Sequence, residues 1–204
     1  MLGVILHPAT QVRAYDPEQT DLYNDRAQRI LQSMSVDERV GQVFLVSFTG
    51  SSLDANPQLQ DLIQKNRVGG VVLSKENDNF SGPENTLQKV QDLIVDIQTL
   101  NMQAVQENNS LSYTPLLIAI TQEGDSFPND SILSGMTPLP NQMTIGATWD
   151  PASAELAGTI LGSELSALGV NLLFGPSLDV LDQVTPNNAR SEEHTSELQS
   201  RQVI

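Results

Sequence analysis

The stretch Pro115-Leu116-Leu117-Ile118-Ala119-Ile120-Thr121-Gln122-Glu123-Gly124-Asp125 decides the fold class of this chain. The run from Leu116 to Ile120 is apolar at every position, so a strand made from it has no polar face and must be covered on both sides. Parallel sheets flanked by helices are built that way. The run then enters a loop of amides and carboxylates, which is how α/β enzymes present chemistry at the C-terminal ends of their strands.

Working outward, the same arrangement recurs. Residues 42–48, 68–73 and 170–174 are short runs rich in β-branched or large apolar side chains and read as strands, alongside 116–120. Helices are predicted between them. Residues 57–67 place Leu59, Leu62 and Ile63 inward, and 83–106 carry Leu87, Val90, Ile94, Ile97 and Ala104 at helical spacing. Asp150-Pro151 opens a third over 152–168. Upstream, Asp16-Pro17-Glu18 starts a first helix with a stripe of Leu22, Ala27, Ile30 and Leu31 that ends near Met34. Ser35-Val36-Asp37-Glu38 has the spacing of a capping box, so a short helix follows directly. Alternating strands and helices predict a parallel sheet with right-handed crossovers. The pattern alone fits an open doubly wound sheet or a closed barrel. No glycine-rich G-x-G-x-x-G loop follows the first strand, which counts against dinucleotide binding.

A length of 204 residues suits about one domain, and 39% hydrophobic content is enough for a core. The 25 acidic residues outnumber the 10 basic ones and are spread along the chain, giving a formal charge of -15. Such a field repels phosphate backbones and anionic membranes, so no nucleic-acid partner is expected and a neutral or cationic ligand fits better. With no cysteine there is no disulfide or thiolate site. The two histidines, His7 and His194, lie outside any metal-ligand spacing, so neither a metal nor another cofactor is expected. No apolar run reaches the roughly 18 residues that span a bilayer. Leu2-Gly3-Val4-Ile5-Leu6 is too short for a complete export signal and lacks a basic flank; it is the remnant of one or a chance apolar pentad, which leaves the compartment open.

Two further stretches join the first: Leu139-Pro140-Asn141-Gln142-Met143-Thr144-Ile145-Gly146-Ala147-Thr148, and Ala167-Leu168-Gly169-Val170-Asn171-Leu172-Leu173-Phe174-Gly175-Pro176-Ser177-Leu178-Asp179-Val180. In order and wording the three resemble the N-terminal barrel domain of family 3 glycoside hydrolases, the retaining β-glucosidase and β-N-acetylhexosaminidase group, over roughly residues 33–188. The resemblance favours the barrel. Because a TIM-type (β/α)8 barrel needs about 250 residues, the chain is expected to hold its first half, about four βα units. The expected division is an extension and first helix at 1–34, a partial barrel at 35–189, and a non-native tail at 190–204. Arg190-Ser191-Glu192-Glu193-His194-Thr195-Ser196-Glu197-Leu198-Gln199-Ser200 has no apolar period and resembles the conceptual translation of a sequencing-library adapter. Half a barrel leaves two sheet edges and an apolar interior open, so the isolated chain is expected to be aggregation-prone or molten.

By resemblance, the parent protein is a glycosidase of carbohydrate metabolism that removes terminal β-linked sugars from an oligosaccharide or glycoside, in the manner of a β-N-acetylhexosaminidase. A β-glucosidase and a non-catalytic carbohydrate-binding relative are the alternatives. Retaining glycosidases use two carboxyl groups roughly 5 to 5.5 Å apart. In this family the nucleophilic aspartate follows a Lys-His segment on later strands, and the acid/base also comes later, so no catalytic residue is expected within this chain. Gln122-Glu123-Gly124 resembles the family's Asp-x-Glu-Gly-Gly motif, whose first aspartate holds sugar hydroxyls. Thr121 occupies that position and Asp125 replaces the second glycine. A threonine oxygen is a weaker acceptor than a carboxylate, and Asp125 is the candidate to supply the missing charge. Glu123 either touches sugar or ties loop amides beneath it. Asp179, in a match to the family's Pro-x-x-Asp-Val, either faces the pocket or caps the following turn. The candidate substrate-binding set is therefore Thr121, Glu123, Asp125 and Asp179.

Trp149 offers a flat face for a sugar, but its place before a helix start favours core packing. Gly158 and Gly162 are expected to allow close helix–strand contact. The triplets Asn79-Phe80-Ser81, Asn108-Asn109-Ser110 and Asn129-Asp130-Ser131 satisfy the glycosylation pattern, which arises often by chance.

Overall fold

A computed structural model describes residues 17–80, 84–107, 113–125 and 130–177. Four parallel strands, β1 (Leu45–Ser47), β2 (Gly70–Leu73), β3 (Leu117–Thr121) and β4 (Leu172–Phe174), form one sheet in the order β1-β2-β3-β4. The register pairs Val46 with Val71, Val71 with Ile118, and Thr121 with Phe174. An open doubly wound sheet reverses its strand order at a switch point, whereas here each strand adds on the same side as the last. With crossovers of one hand, that order carries the helices to one face of the sheet, as in the wall of a (β/α) barrel.

Six helices accompany the strands among the described residues: α1 (Pro17–Ser33), α2 (Val36–Gly41), α3 (Pro57–Gln64), α4 (Thr86–Glu107), α5 (Gln142–Gly146) and α6 (Pro151–Leu168). The capping box of α2 forms as the spacing predicts: the Glu38 amide donates to Ser35 Oγ at 3.1 Å and the Ser35 amide to Glu38 Oε2 at 2.8 Å. At α6, Asp150 Oδ1 accepts the Ala152 amide at 3.1 Å. The core lies between the central strands and the inner faces of α3 and α4, with Leu59, Ile63, Val90, Ile94 and Ile97 against Val71, Leu73, Ile118 and Ile120. Each such side chain contributes about 1.5–3 kcal/mol by leaving water. Ile118, Ala119 and Ile120 are all fully buried, so both faces of β3 are covered. The edge strands β1 and β4 keep no residue fully buried.

The strands are shorter at their N-terminal ends than the composition suggests, because neighbouring helix ends take those backbone groups. The Val43 and Phe44 amides donate to Val40 and Gly41, the Val68 amide to Leu62, and the Val170 amide to Leu165. Gly70 allows β2 to begin against β3, since a Cβ there would lie 2.3 Å from the Leu117 carbonyl oxygen. At this N-terminal end the buried Arg67 ties three elements together. Its Nη1 donates to Asn101 Oδ1 at 3.3 Å, and its Nε lies 3.8 Å from Glu38 Oε1.

Two expectations are corrected. Trp149 is not core: its left-handed backbone (φ 54) turns the indole into solvent, where it is 93% exposed. Gly158 and Gly162 make no close contact, and a Cβ at either would meet nothing within 4 Å.

Candidate functional site

The C-terminal ends of the four strands gather the polar loops. After β1, the carbonyls of Phe48 and Gly50 accept Asn79 Nδ2 at 2.9 and 2.8 Å, while Asn79 Oδ1 accepts the Ser74 amide at 2.8 Å. One buried amide thus joins the exits of β1 and β2. Between them, a 3-10 turn (Lys75–Asn77) carries Glu76. The Ser74 hydroxyl, backbone donation and Lys75 hold its carboxyl below the ordinary glutamate range.

The β3 exit is built more densely. Gln122, 1% exposed, donates from Nε2 to the Ile132 carbonyl at 3.0 Å and accepts the Ile132 amide on Oε1 at 2.9 Å. The Thr121 carbonyl accepts the Ser131 amide at 3.1 Å, so residues 131–132 lie alongside the end of β3. Asp130, 3% exposed, accepts the amides of Glu123 and Gly124 on Oδ1 at 2.7 and 2.9 Å. Gly124 adopts φ +91, which favours glycine, and a Cβ there would lie 2.6 Å from Leu139 Cδ1. Its carbonyl accepts the Leu139 amide at 2.8 Å, bringing in the segment that leads to α5.

Glu123 joins three elements. Its Oε2 accepts Gln142 Nε2 from α5 at 2.6 Å, and its Oε1 accepts the Ser177 amide beyond β4 at 3.1 Å. These hydrogen bonds tie the loop after β3 to α5 and to the β4 exit. Thr121 is exposed as the last residue of β3, and Asp125 is half-buried in the same loop. Thr121, Glu123 and Asp125 therefore share one rim with the β4 exit. Asp179 lies outside the described residues, as do the triplet at 108–110 and the tail at 190–204.

Sequence reasoning missed Gln122, Asp130, Asn79 and Gln142 as the residues that hold this rim. Two lay in apparent glycosylation triplets, yet Asn79, Asp130 and Ser131 are buried and engaged within the fold. Hollows of about 390, 360 and 430 Å³ occur elsewhere, between α3 and α4, between α4 and the end of α6, and along α2. None is lined by Thr121, Glu123 or Asp125. Among the described residues there is no group of three or more His, Cys, Asp or Glu placed to hold a metal, and no helix is long and apolar enough to cross a membrane.

The profile of the glycosyl hydrolase family 3 N-terminal domain matches residues 35–201. Among curated proteins, beta-hexosaminidase A of Pseudoalteromonas piscicida is 34% identical over 136 residues, covering 65% of this chain and 20% of that protein. The beta-hexosaminidase of Neisseria gonorrhoeae is 31% identical over 121 residues, 55% of this chain and 28% of that one. Among solved structures, a family 3 beta-N-acetylglucosaminidase from Paenibacillus sp. str. FPU-7 superposes with a TM-score of 0.58 at 31% identity, over 72% of this chain and 25% of that one. A fungal multi-domain beta-N-acetylglucosaminidase of the same family gives a TM-score of 0.60 at 27% identity, over 73% and 16% of the two chains. The chain spans less than a third of the length of these curated relatives.

Proposed function

The chain belongs to the glycosyl hydrolase family 3 N-terminal domain family, and on that footing we propose that it is the opening part of a retaining glycosidase that removes terminal β-linked N-acetylhexosamine. The observation that carries this reading is the rim at the C-terminal end of the parallel sheet, where Thr121 and Asp125 sit beside the Glu123 bridge between the β3 and β4 exits. Parallel α/β barrels hold their substrates at that end. Thr121, Asp125 and Asp179 are proposed to meet the sugar, and Glu123 to hold the loop that presents them. The nucleophile and the acid/base belong to later strands of the parent protein. The hexosaminidase names of the relatives favour the N-acetylated sugar over glucose.

Thr121 in place of a carboxylate favours a second reading, a carbohydrate-binding relative without hydrolysis. Residues 190–204 are proposed to be non-native in both, although the family profile runs on to residue 201, and re-sequencing through the junction after Ala189 tests that. The main reading is tested with the full-length gene product on chromogenic β-N-acetylglucosaminide and β-glucoside. Faster release from the former is expected. Release from neither ends the hydrolase reading, and binding of the sugar without release would establish the second.

A further inference from the structure

Glu123 is placed oddly for a group meant to hold sugar. Both carboxylate oxygens already accept hydrogen bonds from within the fold, and the two donors come from elements far apart in sequence: Gln142 at the start of α5, and the amide of Ser177 after β4. The loop carrying it is itself anchored from below, since the buried Asp130 accepts the Glu123 and Gly124 amides. The carboxylate therefore has an anchored backbone on one side and two sequence-distant elements on the other. Gly175, just before the bridged amide, lies close as well: a Cβ there would be 3.8 Å from Glu123 Cγ and 3.6 Å from the Gln122 carbonyl oxygen.

We propose that Glu123 is a positioning residue of the sugar site: its carboxylate sets the β4 exit loop and the start of α5 against the β3 loop, and acts through that geometry without meeting the substrate. The proposal rests on the glycosidase reading above. What matters is then the acceptor oxygen toward Ser177 and a complementary partner toward Gln142, not the negative charge. An amide at position 123 keeps both. Its oxygen accepts the Ser177 amide, and its NH2 donates to Gln142 once that carboxamide rotates to present oxygen, a flip that costs little. An alanine keeps neither.

The test uses the full-length gene product and the chromogenic β-N-acetylglucosaminide. Glu123→Ala is expected to lower kcat/KM by about tenfold or more, and Glu123→Gln to recover most of that loss. Ser177→Pro removes one of the two donors while leaving Glu123 and its bond to Gln142 intact, and is expected to reproduce the part of the alanine defect that passes through the β4 exit. The double variant Glu123→Ala with Ser177→Pro should then be no worse than Glu123→Ala alone, because the alanine has already broken the bond that the proline removes. Melting temperatures separate a lost position from a lost fold: the defect is expected with the transition midpoint of Glu123→Gln and Ser177→Pro near that of the wild type. A Glu123→Gln variant as impaired as Glu123→Ala, or additive losses in the double variant, would overturn the proposal and assign the charge a direct role. Loss of the wild type's own activity on every glycoside tried would instead remove the glycosidase reading on which it rests.

Discussion

Asp130 accepts two backbone amides while almost wholly buried, so its removal strands both donors away from water. Charge-assisted bonds of this kind are worth more than neutral ones, and Asp130→Ala is expected to destabilise the full-length gene product by about 2–4 kcal/mol. Urea titration measures it, and a loss under about 0.5 kcal/mol would show that the β3 loop does not depend on the anchor. Nothing in the sequence marks this residue, because its partners are six and seven positions away and no periodicity links them. Glu123 was legible as a match to a motif and Thr121 and Asp125 only as departures from it, and the hydrogen-bond partners of Glu123 were not legible at all. Trp149 shows the limit of a positional rule: the residue before a helix start packs as a staple only if its backbone turns it inward, and a left-handed φ of 54 turns it out.

At the scale of elements, the sequence was most informative where chemistry and period agree. Leu59 and Ile63 on α3, and Val90, Ile94 and Ile97 on α4, face the core as their spacing predicts. The cap of α2 was legible because a capping box is a local, reciprocal arrangement of two side chains. Ser35→Ala is accordingly expected to cost about 1 kcal/mol, read as a lowered urea midpoint with an unchanged slope. No change in midpoint would mean that the box contributes nothing beyond helix propensity. Strand starts were less legible. The amides of Val43, Phe44, Val68 and Val170 have apolar side chains suited to a strand, yet helix ends claim their hydrogen bonds. The short α5 was missed because five residues hold too little periodicity, although Asn141 caps it by accepting the Thr144 amide at 2.8 Å.

For the molecule as a whole, the parallel order β1-β2-β3-β4 follows from continuous apolar strands alternating with helices, but closure does not. Among the described residues, β1 and β4 each have a free edge, and Val36, Val40, Val43 and Phe44 form an exposed apolar patch beside β1. Unpaired edges beside apolar surface invite association. The isolated 204-residue chain is expected to bind a hydrophobic dye strongly and to melt broadly or aggregate; a sharp cooperative transition from a soluble monomer would refute this. The central claim is that the C-terminal rim of this sheet meets the sugar of a β-glycoside. Thr121→Asp in the full-length gene product tests it most directly, by restoring a charged acceptor where the family motif places one. The account predicts that KM for the chromogenic β-N-acetylglucosaminide falls by about tenfold, the gain of a charge-assisted hydrogen bond over a neutral one. Unchanged KM and kcat in a folded variant would contradict it.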